Sequence, residues 1–254
     1  MGEGMTEREC AELDVRWARR GPARALREAL LCGFFGPAMR AYVRRRVSGR
    51  AVLDGLDGPV VFVANHSSHI DTPAILCALP ARWRRRTVVA AAADYFYTRR
   101  DVATAVSLAF NTVPMARDGG GLEATAHVDE LLRDGWSLVL FAEGTRSRDG
   151  NVGRLRSGAA VIAARHGLPL VPIHVAGTRS AMPLGRRWIV RPTRRWPLGG
   201  RHPVEISFGA PIRAREDEHR SEVMERVRLF LAESGARTTP ARRRQARERV
   251  GAES

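Results

Sequence analysis

Two clusters of side chains in this chain of 254 residues have the types and spacing to do chemistry. The first is Asn65-His66-Ser67-Ser68-His69-Ile70-Asp71. His66 and Asp71 are separated so that the carboxylate accepts from one imidazole nitrogen and leaves the other free as a base. Such a dyad carries no nucleophile of its own and suits removal of a proton from a substrate hydroxyl. The second cluster is Glu143-Gly144-Thr145-Arg146-Ser147. There Gly144 admits a ligand close to the backbone, Thr145 offers a hydroxyl, and Arg146 offers a planar fork of donors for phosphate. Arg117, after Pro114-Met115-Ala116, supplies a second guanidinium. Two arginines and a dyad converging on one edge describe a phosphate-bearing substrate whose hydroxyl is activated.

That convergence requires a sheet. Short apolar, β-branched runs are expected as strands at Val60 to Ala64, Thr87 to Ala92, Asn111 to Met115, Ser137 to Ala142, Leu170 to Val175 and Val204 to Phe208. Helical stretches fall at about Thr72 to Leu79, Val102 to Ala109, Gly121 to Arg133, Ser157 to His166 and Glu216 to Glu233. Alternation of this kind predicts an α/β fold with a largely buried sheet flanked by helices. Each chemical cluster then follows the end of a strand, where α/β folds place ligands.

The pattern resembles the PlsC-like glycerolipid acyltransferases, the lysophospholipid acyltransferase family typified by the 1-acyl-glycerol-3-phosphate enzymes. Its N-H-x-x-x-x-D motif stands here as Asn65 to Asp71, and its strand ending in Arg is similar to Asn111 to Arg117. Its F-P-E-G-T-R-S motif resembles Phe141-Ala142-Glu143-Gly144-Thr145-Arg146-Ser147, and its strand with an internal Pro resembles Leu170-Val171-Pro172-Ile173. The four occur in order over about residues 58 to 178. Ala142 stands where the family has Pro, a change expected to affect loop stiffness more than chemistry. Leu155-Arg156-Ser157-Gly158 stands where F-K-x-G is common, exchanging Lys for Arg as a phosphate contact.

The resemblance implies a mixed sheet of the glycerol-3-phosphate acyltransferase type. It also implies a reaction in which His66, held by Asp71, activates a lysophospholipid hydroxyl for direct attack on the thioester of acyl-CoA or acyl-carrier protein, giving phosphatidic acid from 1-acyl-glycerol-3-phosphate. Asn65, Arg117, Glu143, Gly144, Thr145 and Arg146 are the implied substrate contacts. No cofactor or metal is implied, the acyl thioester being a co-substrate. Two other readings stay open: an acyltransferase for a different lysolipid, and a catalytically silent basic protein that binds lipid or nucleic acid.

Bland roles compete for each residue. His66 could be a core histidine, Asp71 only a helix N-cap, Arg117 and Arg146 surface ion-pair partners, and Gly119-Gly120-Gly121 a plain turn. Ser67 or Ser68 would have to serve as nucleophile in a serine hydrolase, since no G-x-S-x-G elbow exists. The uncharged stretch Val102 to Ala116 fits either core packing or an acyl-chain channel.

The charge bears on the partner. Lys plus Arg number 42 against 27 acidic residues, a net +15, and all 42 are Arg, which removes lysine-based chemistry. In the first fifty residues, Arg19, Arg20, Arg24, Arg27, Arg40 and Arg44-Arg45-Arg46 bracket the apolar run Ala29 to Met39, too short to span a bilayer. We expect residues 1–50 to be a basic amphipathic helix pair, broken at Gly36-Pro37, that docks on an anionic membrane with Leu30, Leu31, Phe34 and Phe35 at the acyl boundary. A helix whose apolar face merely packs on the domain is the competing reading. Residues 51–235 are expected to form the catalytic domain and 236–254 a basic, disordered tail. Trp188 and Trp196 among the arginines of 186–201 suit a membrane interface.

No nucleic-acid partner is expected, because the Arg clusters are not interleaved with aromatics. Cys10, Cys32 and Cys77 form no CxxC spacing, which fits a reducing compartment. The acidic start, with Glu3, Glu7, Glu9 and Glu12, argues against a cleaved secretory signal. Together these point to the cytoplasmic face of the cell membrane, held peripherally.

Overall fold

The computed structural model describes residues 15–115, 121–186, 188–192, 200–214 and 218–237, without the side chains of 93 and 121–125. Arg117, Cys10, Trp196, Gly119 and Gly120 of the triple glycine, and the tail beyond Arg237 lie outside the described residues.

A seven-stranded sheet organises the chain, in the order β1-β7-β6-β2-β5-β3-β4. Its strands are β1 Val43–Ser48, β2 Val61–Ala64, β3 Thr87–Ala92, β4 Thr112–Met115, β5 Ser137–Phe141, β6 Leu170–Ala176 and β7 His202–Phe208. Neighbouring strands from β6 to β4 run parallel, whereas β7 is antiparallel to β6 and carries β1 parallel to itself. The expected mixed, buried sheet is therefore the observed one, with the six expected strands all present.

Central β2 explains why its sequence is apolar throughout. All four residues are at 0% exposure, and the pleat sends Val61 and Val63 into one core and Phe62 and Ala64 into the other. Helices cover both faces: α1 Gly21–Leu30, α2 Gly36–Tyr42, α3 Asp71–Ala78, α4 Arg100–Phe110, α5 Gly121–Arg133, α6 Gly158–Arg165 and α7 Arg220–Glu233. Residues of α6 and α7, such as Ile162 and Val227, join Val61 and Val63 in one core. Ile75 and Leu76 of α3 join Phe62 in the other.

The first fifty residues depart from expectation in three ways. Arg44-Arg45-Arg46 belong to a strand, not a helix, because β1 adds to the sheet edge through parallel pairing with β7. Val43 is buried there while the three arginines are exposed, and charge on an edge strand deters pairing with another chain. The helix is also not broken at Gly36-Pro37. A π-helical turn, Leu31–Phe35, joins α1 to α2 with helical backbone on both sides. The Gly36 N–H donates to the Leu31 carbonyl five residues back, a widened turn that gives the proline ring room.

Thirdly, α1 docks on the domain through charged groups. The Arg27 guanidinium, 5% exposed, donates to the carbonyls of Ala18 at 2.6 Å, Leu108 at 2.9 Å and Ser107 at 3.1 Å, capping the C-terminal turn of α4. Burial first, then Arg19 and Arg24, lower its pKa to about 10, so it stays charged at neutral pH. Glu28 takes a bidentate pair of 2.9 Å bonds from Arg84 and a third from Arg85 at 3.2 Å. Of the four apolar residues expected at a lipid boundary, Leu31 is buried at 1% and Phe35 packs on Phe110 with ring centroids 5.0 Å apart. Leu30 is half-buried, and Phe34 is exposed beside the exposed Trp188 at 6.2 Å. Among the described residues no helix is long and apolar enough to cross a membrane.

Candidate active site

The dyad forms at the carboxyl end of β2. His66 Nδ1 lies 2.8 Å from Asp71 Oδ2, and the same oxygen accepts the backbone N–H groups of Ser67 at 2.7 Å and Ser68 at 2.9 Å. Asp71 is fully buried at 0% exposure and begins α3, so its carboxylate is fixed by the loop that it closes. The N-cap position belongs to Ile70 and no side chain caps the helix, so the Asp71 carboxylate holds His66 and the loop instead of serving as a cap. The His66 ring stacks on Phe141 of β5 with centroids 3.9 Å apart and an interplanar angle of 19°. With one nitrogen on Asp71, its other nitrogen is left for a substrate.

Ser67 and Ser68 are not poised as nucleophiles. Ser67 Oγ shares a hydrogen bond with Thr178 Oγ1 at 3.1 Å, and Ser68 Oγ donates to the Met182 carbonyl at 2.8 Å, both buried.

Asn65 ties the sheet together and is not among the residues that line the cavity beside the dyad. Its amide nitrogen donates to the Val175 carbonyl at 2.9 Å and its oxygen accepts the Val175 N–H at 2.8 Å, replacing ladder bonds where β2 parts from β6. Expected as a substrate contact, Asn65 has both amide atoms engaged by the Val175 main chain. Glu143 is likewise a bridge. Its two oxygens accept the N–H groups of His66 at 3.4 Å and Gly153 at 2.9 Å, linking the two clusters. Desolvation raises its pKa above the usual carboxylate range, with these two bonds opposing the shift.

A cavity of about 1200 Å³ opens beside the dyad. His66, Gly144, Thr145 and Arg146 all line it, so the structure brings these expected residues together, whereas Arg117 lies outside the described residues. Its polar side adds Arg156, Ser157 and Arg186, and its apolar side Val89, Val102, Val106, Phe110, Met115 and Leu140. The Val102 to Ala116 stretch thus contributes wall residues at intervals of one helical turn. Gly144 adopts φ +72°, and a Cβ there would lie 2.9 Å from Arg156 Nε. Glycine is required because the arginine side chain lies across it.

Substituting Ala142 for proline has a visible consequence. Its N–H donates to the Ala64 carbonyl at 2.8 Å, extending the β2·β5 pairing by a bond proline lacks, and its carbonyl accepts from Arg156 N–H at 2.8 Å. Arg156 was legible only as a departure from a motif, and Tyr95, another wall residue, carried no sequence signal. His69 lies in the same wall. Burial foremost, then the charges of Arg146 and His66, lower its pKa to about 4, leaving a neutral imidazole at neutral pH.

Comparison with known proteins identifies the family. A family model for acyltransferases matches residues 42–176, which contain the dyad, the Glu143 to Ser147 loop and strands β1 to β6. A chloroplastic 1-acyl-sn-glycerol-3-phosphate acyltransferase from Brassica napus is 31% identical over 156 residues, covering 59% of this chain and 42% of that protein. One from Pseudomonas aeruginosa is 28% identical over 123 residues, covering 46% of this chain and 42% of its own length. The chain thus matches less than half the length of these curated relatives. The crystal structure of the LPA acyltransferase PlsC from Thermotoga maritima shares the fold, with a TM-score of 0.58 at 23% identity over 90% of this chain and 87% of that one. With the family match spanning more than half of the residues and framing the histidine-aspartate pair, this chain belongs to the acyltransferase family.

Proposed function

We propose that the protein moves a fatty acyl group from acyl-CoA or an acyl-carrier protein to the free hydroxyl of 1-acyl-glycerol-3-phosphate, forming phosphatidic acid. The observation that carries this reading is the His66–Asp71 pair at 2.8 Å on the wall of a cavity whose polar side holds Arg146 and Arg156. The relatives named as 1-acyl-sn-glycerol-3-phosphate acyltransferases support the acceptor.

In this mechanism His66 keeps its Nδ1 proton on Asp71 and takes the acceptor's hydroxyl proton at Nε2. The oxygen attacks the thioester carbonyl carbon to give a tetrahedral oxyanion. When the C–S bond breaks, the thiolate leaves and receives the proton from Nε2, so no acyl-enzyme forms. As imidazolium appears, the buried Asp71 carboxylate stabilises it. Arg146 and Arg156 meet the acceptor phosphate by charge-assisted hydrogen bonds, Gly144 and Thr145 shape that end, and Arg117 is assigned to the same phosphate on its motif alone. The apolar wall from Val89 to Leu140 receives an acyl chain.

The membrane part of the proposal rests on exposure. Leu26, Phe34 and Trp188 are about half exposed, and Tyr95 and Val102, also exposed, line the cavity itself. A face of this kind among exposed arginines such as Arg20, Arg40 and Arg186 suits peripheral docking on an anionic bilayer, and the cytoplasmic leaflet supplies that charge. We assign Phe34, Leu26 and Trp188 to this contact in place of the buried Leu31 and of Phe35, which is partly buried against Phe110.

Thiol release from acyl-CoA by the purified protein, with and without 1-acyl-glycerol-3-phosphate, tests the reaction beside a His66→Ala control. Release that needs the acceptor and falls about 10²–10⁴-fold in the control is expected. Acceptor-independent release would make the protein a thioesterase and overturn the reading. A panel of lysolipids in the same assay ranks the acceptors.

A further inference from the structure

One wall of the cavity is a stack that joins three strand ends. His69 comes from the loop after β2, Tyr95 and Phe96 from the short helical turn Ala93–Phe96 after β3, and Arg146 from the loop after β5. All four side chains line the cavity. The Arg146 guanidinium carbon stands 5.6 Å from the centre of the Tyr95 ring, over its face. On its other contacts the Tyr95 ring lies near-parallel to His69 at 5.8 Å and edge-on to Phe96 at 4.7 Å, while Phe96 meets His69 edge-on at 6.0 Å. Tyr95 Oη and His69 Nε2 share a hydrogen bond at 3.3 Å.

We propose that Tyr95 is a positioning residue for acceptor recognition: its ring, braced by His69 and Phe96, sets the direction of the Arg146 guanidinium toward the acceptor phosphate. The inference rests on the assignment of Arg146 to that phosphate. An arginine side chain has four rotatable bonds, and ordering it when substrate binds costs conformational entropy. A face-on aromatic ring removes part of that loss beforehand, and its quadrupole holds the cation without using the N–H donors that phosphate needs. The brace works because His69 is neutral; a charged imidazole beside Arg146 would repel it. Tyr95 is half exposed at 48%, so its replacement leaves the core intact.

The test is steady-state acyl transfer to 1-acyl-glycerol-3-phosphate by the whole chain carrying Tyr95→Leu, Tyr95→Phe, Arg146→Ala or Tyr95→Leu with Arg146→Ala. Tyr95→Leu is expected to raise the acceptor KM about 3–10-fold, the reach of one cation–π contact at a partly exposed site, with kcat and the donor KM within about twofold. Tyr95→Phe, which keeps the ring, is expected to stay near the parent. In the Arg146→Ala background Tyr95→Leu adds nothing further, because the two act as one unit.

An effect of Tyr95→Leu that multiplies with that of Arg146→Ala, that falls on kcat or the donor KM, or that Tyr95→Phe reproduces in full would overturn the proposal while leaving the phosphate assignment standing. An unchanged acceptor KM in Arg146→Ala itself would overturn the assignment and the proposal together.

Discussion

Replacement of Asp71 by Asn separates the charge of the dyad from its geometry. Asp71 uses one oxygen, Oδ2, for His66, Ser67 and Ser68, whereas Oδ1 is buried without a hydrogen-bond partner among the described residues. An asparagine that places its carbonyl oxygen at the Oδ2 position therefore keeps all three bonds and the same histidine tautomer, and loses only the negative charge. Its NH2 group then occupies a buried position with no acceptor, for which a stability loss of about 1–3 kcal/mol is expected.

The catalytic loss follows from the imidazolium formed during the reaction. Two unit charges about 4 Å apart at an effective dielectric near 20 attract by about 4 kcal/mol, and a neutral hydrogen bond retains roughly half of a charge-assisted one. The expected fall in kcat is between about 30-fold and about 10³-fold, with the acceptor KM little changed. Single-turnover thiol release at saturating acceptor measures it, with far-UV circular dichroism confirming the fold. A kcat within about fivefold of the parent would refute the charge argument and reduce Asp71 to an organiser of its loop. A loss beyond about 10⁴-fold would mean that the tautomer had changed and that the placement of the amide is wrong.

Three further outcomes are expected. Gly144→Ala places a Cβ at φ +72° and 2.9 Å from Arg156 Nε, so Arg156 must move; kcat/KM for the acceptor should fall about 10–10²-fold, and an unchanged value would show that Arg156 is idle. Asn65→Ala leaves both main-chain groups of Val175 without their partners; a stability loss of about 2–4 kcal/mol, or a Tm lower by about 5–12 °C, is expected in calorimetry. The His69 pKa is lowered from 6.5 to about 4, so between these values the unfolded chain binds a proton that the folded chain refuses. Its effect on stability is absent above about pH 6.5 and grows as pH falls toward 4, so His69→Asn should lose less of its urea midpoint than the parent between pH 7 and pH 4.5, and equal losses would contradict the desolvated imidazole.

Much of this molecule is written locally in the chain. The strands β2, β3, β5 and β6 are apolar runs because both faces of a parallel sheet are buried, and the reactive residues follow their ends because that is where the backbone leaves the sheet. The spacing of His66 and Asp71 foretold their bond, since one loop and the start of one helix hold both.

Tertiary structure decided what depends on partners distant in sequence. β1 could not be read from Val-Arg-Arg-Arg-Val-Ser, because a strand at a sheet edge shows almost no apolar alternation and exists here by pairing with residues about 160 positions later. Arg27 looked like one more lipid-facing cation; only the end of α4 packed against it makes it a buried cap. Asn65 sits inside a reactive motif, yet β6 consumes both its amide atoms. The stack of Arg146, Tyr95 and His69 had no signal at all, since it joins three loops whose sequences are unrelated and whose meeting is fixed by strand order alone. Local pattern determines the buried strands, the segments that carry reactive groups and the pairing within one loop; the edge strand, and every partner that comes from a distant segment, is set by the sheet that gathers them.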